Sequence, residues 1–169
     1  MRRLTGFSIL ELLLVMTIIA GLLIVASPSF FRVLKGHTLT YDVHQLVFTL
    51  KQLQSNAFVD HRYYQFTLDA DNQSYQTALY TQDAWLPLDT YALSPSTQVA
   101  SVTSLTATQG LVYDPQGNAF LCPVTATIST CLESPLTATQ SITVYHESRY
   151  HTIELLPVNG YVSHNVVVK

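Results

Sequence analysis

Few residues of this chain stand where they could do chemistry, and the first of them is a single carboxylate. Glu11 lies inside the run Phe7 to Ala26, where only Ser8, Glu11, Thr17 and Gly21 interrupt apolar side chains. A lone acid costs roughly 2.5–3.5 kcal/mol at the centre of a bilayer on insertion scales. A cost of that kind points to a role, and the role it fits is pairing with a charge supplied by another subunit. Cys122 and Cys131 are the only cysteines. Their separation permits a disulfide closing a small loop through Pro123, Thr127 and Ser129. The rival is a two-thiol metal or redox site, whose marks would be C-x-x-C or further Cys and His at ligand spacing; neither is in the sequence.

The remaining candidates have plainer readings. His146-Glu147 followed by His151 resembles a metalloprotease motif, but H-E-x-x-H sets its histidines four apart on a helix. Here they are five apart in a predicted hairpin, so hairpin packing or exposure is expected instead of zinc. His37 and His44, seven apart, share a helical face that suits a subunit contact or a solvated pair. Asp69, Asp71 and Asn72 offer hard oxygens for calcium, yet a hairpin turn accounts for them. No G-x-S-x-G supports a nucleophilic hydrolase. Tyr63, Tyr64, Tyr75, Tyr80 and Tyr91 follow strand preference, with a stacking surface as the weaker use. The chain is therefore not expected to be an enzyme, and no cofactor or metal is implied.

The elements that position these residues begin with the apolar run. At about 1.5 Å per residue, about 20 residues span about 30 Å of hydrocarbon, enough to cross a bilayer. Met1-Arg2-Arg3-Leu4-Thr5-Gly6 before it is basic, brief and ends in glycine. No small-x-small cleavage site is evident after the run, although Ala26-Ser27 keeps a signal-peptidase cut open. The alternative is a cut between Gly6 and Phe7, which leaves the apolar helix on the mature protein. Arg2 and Arg3 before the span are matched by Arg32 and Lys35 after it, so charge asymmetry does not orient it.

Beyond the span the helix is expected to continue, bent or locally broken at Pro28 and loosened at Gly36. Val43, Leu46, Val47, Leu50, Leu53, Ala57 and Phe58 then recur at spacings of three and four among Asp42, Gln45, Lys51, Gln52 and Gln54. That is an amphipathic stripe made to lie on a sheet. After Asp60 short strands alternate with turns: 63–68 and 75–80 as a hairpin around Asp69–Asn72, then 86–92, 97–102 and 110–113. The turn Asp114-Pro115-Gln116-Gly117 leads into 118–121, followed by 141–145, 150–156 and 161–168. Removing the apolar helix leaves about 140 residues, the size of one domain. Charged residues make up 11% and net charge is −3, with no basic patch for nucleic acid. The predicted fold class is α+β, one long N-terminal helix packed on antiparallel sheets.

Gly6-Phe7-Ser8-Ile9-Leu10-Glu11-Leu12-Leu13 resembles the class III signal of type IV pilins and type II secretion pseudopilins. The resemblance implies removal of 1–6 by prepilin peptidase on the cytoplasmic face and N-methylation of Phe7. It also implies pairing of Glu11, then the fifth residue, with the N-terminal amine of a neighbouring subunit. Pro28 falls where these helices often carry a proline. The domain resembles the H-type minor pseudopilins and FimT/FimU-type minor pilins, through Trp85 after a hairpin, Leu111-Val112-Tyr113-Asp114-Pro115-Gln116-Gly117 and a terminal hairpin with Asn159-Gly160. The expected organisation is a leader at 1–6, a transmembrane half-helix at 7–26, an amphipathic half at 27–59 and a periplasmic β-rich domain at 60–169. On the outer side of a bacterial inner membrane the cysteine pair is normally oxidised.

The function so implied is that of a structural minor pilin. It is held by a single pass in the inner membrane, assembled into a filament through its helix, and partnered by other pilin subunits, prepilin peptidase, the assembly platform and, before assembly, the lipid bilayer. A minor pseudopilin of a type II secretion system shares every one of these features. A DNA- or ligand-binding minor pilin is the third reading. The resemblance attributes DNA binding to arginines after the glycine of the terminal hairpin; here Gly160-Tyr161-Val162-Ser163 holds none and only Lys169 is basic in the tail. Nucleic acid is therefore not an expected partner. For another ligand the candidate surfaces are the stretch 90–109 and the cysteine loop.

Overall fold

One helix, α1 (Ile9–Asp60), precedes all of the sheet structure. The computed structural model describes residues 9–102, 108–146, 149–157 and 161–165, with side chains for all of these except 25–36, 100–102, 164 and 165. The chain divides into two units, Met1–His37 and Thr38–Lys169. In the first, every described side chain from Ile9 to Ile24 is exposed. Pro28 and Gly36 fall in the helical stretch whose side chains lie outside the described residues.

Among the described residues, the second unit contains the rest of α1, nine strands and a short helix. The five-stranded sheet has the order β3 (Ala84–Ala92), β2 (Ser74–Thr81), β1 (Tyr64–Leu68), β5 (Gln109–Tyr113), β6 (Ala119–Pro123). The four-stranded sheet has the order β4 (Gln98–Val102), β7 (Gln140–His146), β8 (Arg149–Leu155), β9 (Val162–Asn165). All pairings are antiparallel. Helix α2 (Ile128–Leu132) lies between β6 and β7.

The core follows from alternation along strands and a three-four period along the helix. Leu39, Val43, Leu46, Leu50, Leu53 and Ala57 of α1 cluster with Phe66, Tyr75, Leu111 and Tyr113 of the larger sheet. Ile142, Val144, Ile153 and Leu155 of the smaller sheet join the same cluster. Phe58 does not belong to this stripe, contrary to its spacing in the sequence, and is 60% exposed. At 100° per residue it lies about 140° around the axis from Leu53, whereas Ala57 lies only about 40° away. A one-residue step thus turns Phe58 out of the face that Leu53 and Ala57 keep on the sheet.

The larger sheet is apolar on its other face too. Val112, Cys122, Ile128 and Cys131 form a second cluster there, flanked by Tyr63, Tyr80, Trp85, Phe120 and Ala126. Polar contacts fasten α1 at several levels. Ser94 donates to Asp42 through its backbone N–H (3.2 Å) and its hydroxyl (3.1 Å). Gln54 donates to the Gly117 carbonyl (2.9 Å), and Tyr64 to Asp60 (2.5 Å).

Candidate functional site

The residues that the sequence singles out fall in both units, and each is described within its own. Gly6 and Phe7 lie outside the described residues. Glu11 occupies the first described turn of α1 and is exposed. Around it Ile9 is 82% and Leu10 is 76% exposed, and the apolar run stays uncovered as far as Ile24 at 75%. A helix apolar on every side has no stable place in water; it requires hydrocarbon or the apolar faces of other helices. Among the described residues no helix is long and apolar enough to cross a membrane. The described side chains of this run stop at Ile24, and the sequence continues it with Val25 and Ala26.

Cys122 and Cys131 are joined in a disulfide, with Cα atoms 4.8 Å apart and both residues fully buried. The bond pins the loop that carries α2 to β6. Trp85 holds the same loop from across the sheet: its indole N–H donates to the Ala126 carbonyl (3.1 Å), and its ring meets Tyr80 edge-on at 5.1 Å.

Elsewhere the candidate groups are occupied by structure. Asp69 accepts from the Ser74 hydroxyl and Asp71 from the Gln73 backbone (3.0 Å), while Asn72 takes a left-handed φ of 57°. These are the contacts of a tight hairpin. Among the described residues no cluster of His, Cys, Asp and Glu is arranged to hold a metal. His37 and His44 are exposed on α1. His146 and His151 are buried on the inner face of the smaller sheet, in line with Ile142, Val144, Ile153 and Leu155. Burial lowers the pKa of His151, and the nearby His44 lowers it further.

Among the described residues the tyrosines fall into separate groups, with Tyr63 and Tyr80 beside Trp85 at the second cluster. Tyr64, Tyr75 and Tyr113 are buried. Burial raises the pKa of the Tyr113 phenol, and raises that of Tyr64 to about 12 with help from the Asp60 hydrogen bond. Tyr161 stands over Lys51, whose ammonium is 5.7 Å from the ring centroid. The predicted turn at 157–160 and the tail beyond 165 fall largely outside the described residues.

One feature escaped the sequence. Tyr41, Asp42 and Gln45 of α1 line a cleft with Tyr75 and 90–92 of the larger sheet and with Leu93 just beyond β3. Asp42 reads as a polar residue between apolar ones, and nothing in its spacing marks it as 5% exposed.

A long N-terminal helix whose second half is buried against antiparallel sheets defines a pilin-type α+β fold, and solved structures of two kinds share it. The crystal structure of the type IV minor pilin FimU from Pseudomonas aeruginosa PAO1 superposes with a TM-score of 0.54 at 10% identity, over 75% of this chain and 87% of that one. The minor pseudopilin EpsH of the Vibrio cholerae type II secretion system also gives 0.54 at 10% identity. The match covers 75% of this chain and 95% of that one in one structure, and 79% and 96% in another. The likeness is one of fold. No protein-family model matches the chain, and neither does the sequence of any characterised protein.

Proposed function

We propose that this chain is a structural minor pilin that is stored in the inner membrane by its N-terminal helix and then assembled into a filament through that helix. One observation carries the reading: an apolar helix with Glu11 in its first turn, uncovered from Ile9 to Ile24, joined to a domain of the pilin-type fold. Lipid covers such a helix before assembly, and neighbouring helices cover it afterwards. In either setting a lone carboxylate gains most from a cation, and the N-terminal amine of Phe7 on an adjacent subunit supplies one after prepilin peptidase has removed 1–6. The pairing sets the axial register of subunits, and the β-rich unit presents its loops to other subunits at or near the tip. No catalytic step is part of this function.

The same chemistry serves a secretion pseudopilus, and FimU and EpsH superpose equally well. Genes for an outer-membrane secretin beside secreted hydrolases would mark the pseudopilus, and twitching or competence genes the pilus. The test is mass spectrometry of protein from the native host together with Glu11→Ala and Glu11→Val. The expected results are a chain beginning at N-methylated Phe7, and variants that insert normally but enter filaments poorly. A chain still beginning at Met1 or starting after Ala26 defeats the proposal, as does normal incorporation of both variants.

A further inference from the structure

The cleft between α1 and the end of β3 has a volume of about 350 Å³, within the range of small-ligand sites. Its walls are electron-rich. Tyr75 and Tyr91 stack with centroids 5.1 Å apart and planes 22° apart, and Tyr41 stands at the mouth, 66% exposed. Asp42 lies at the wall, 5% exposed, with each carboxylate oxygen accepting one bond from Ser94. Both bonds come from neutral donors. Among the described residues, no basic side chain lines the cleft.

We infer that this cleft is a binding site for an organic cation of the alkylammonium class. A carboxylate beside aromatic rings attracts an ammonium twice over, through charge and, at the exposed Tyr41, through the ring face. Burial, the largest cause, pushes the Tyr75 phenol up to about 12; the hydrogen bond with Thr49 lowers it, and Tyr91, Asp42 and Tyr41 raise it. The surrounding unit is acidic as well: Thr38–Lys169 contains ten of the eleven Asp and Glu residues but four of the eight Lys and Arg. The cation is either a free small ammonium compound or a lysine side chain of another protein, and both present the same group to the cleft.

The test uses the full chain, with ¹³C-labelled tyrosine rings, in a polyoxyethylene detergent whose head group carries neither charge nor sugar. Choline is titrated against 3,3-dimethylbutan-1-ol, its neutral isostere, and against methyl glucoside. Nα-acetyl-lysine methylamide is titrated against the norleucine analogue. The expected result is saturable movement of the Tyr75 and Tyr91 resonances by the cations, with each neutral partner roughly tenfold weaker or more. Asp42→Asn and Tyr41→Ala should each weaken choline by several-fold; the exposed Tyr41 provides a variant that leaves the core intact. Tighter binding of the lysine amide assigns the cation to a protein side chain, and tighter binding of choline to a free compound. Equal binding of choline and its isostere, preference for the glucoside, or unchanged binding by Tyr41→Ala would overturn the inference.

Discussion

Reducing the disulfide between Cys122 and Cys131 should lower the melting temperature of the second unit by roughly 9 °C. The two cysteines are nine residues apart. In the chain-entropy treatment, a cross-link closing a loop of that length removes about 2.6 kcal/mol of conformational freedom from the unfolded chain. For a unit the size of Thr38–Lys169, unfolding entropy of about 2.1 cal/mol/K per residue makes each kcal/mol worth about 3.6 °C. Trp85, the sole tryptophan, is the natural reporter because its indole is bonded to Ala126 of the pinned loop. Thermal unfolding of the full chain would be followed by Trp85 emission with the bond intact and after reduction. Reduction keeps both sulfur atoms, so it isolates the cross-link; Cys122→Ala with Cys131→Ala adds the loss of buried volume and should melt lower still. A shift below about 2 °C would mean that packing of Ile128 and Trp85 fixes the loop without the bond, and the entropic reasoning would fail.

Three further outcomes follow from particular contacts. Asp114→Ala removes a buried carboxylate that accepts from the backbone of Gln116 (2.9 Å) and Asn118 (2.8 Å) and from the Asn118 amide (3.0 Å). The orphaned donors should cost about 2–4 kcal/mol in urea unfolding, and a loss below about 0.5 kcal/mol would show that water replaces the carboxylate. Gly110→Ala places a Cβ 2.9 Å from Thr67 Cγ2 and 3.0 Å from the Phe66 carbonyl oxygen; the strand must shift, at about 1–3 kcal/mol, and a neutral result would refute that crowding. His151 has its folded pKa lowered from 6.5 by burial and by His44. As pH falls through 6.5 the unfolded chain therefore binds the proton first, and stability declines until pH passes the lowered folded value. Urea midpoints at pH 7.5 and 5.5 should differ less in His151→Phe than in the parent chain, and equal differences would remove His151 as a contributor.

What the sequence disclosed depended on how local the deciding interaction is. The strands from Tyr64 to Leu155 lie within a residue or two of their expected positions, because alternation and turn residues are read over a few positions. The Asp114–Gly117 turn is an example: Gly117 has a φ of 82°, and the Gly117 N–H donates to the Asp114 carbonyl at 2.9 Å. Sheet membership was not legible. β4 pairs with β7, and β5 inserts beside β1, choices made by burial across long stretches of chain. Helix α2 escaped because five residues, Ile-Ser-Thr-Cys-Leu, are too few to show a helical period. The inward histidines did carry a signal: Gln140, Ile142, Val144 and His146 alternate on one side of β7, which places His146 with the core despite its polarity.

The burial of Asp42 and the exposure of Phe58 go against the ordinary preferences of their residue types, and both arise from where α1 meets its neighbours. Asp42 lies beside Val43 on the stripe that must face inward, so the carboxylate goes with it and is tolerated because Ser94 supplies two donors. Phe58 lies past the last inward turn, where the helix axis, and not hydrophobicity, decides which way a side chain points. The same geometry leaves Tyr41 and Phe48, seven positions apart, uncovered on α1. A helix that must bury one face on two sheets has no freedom to hide the other.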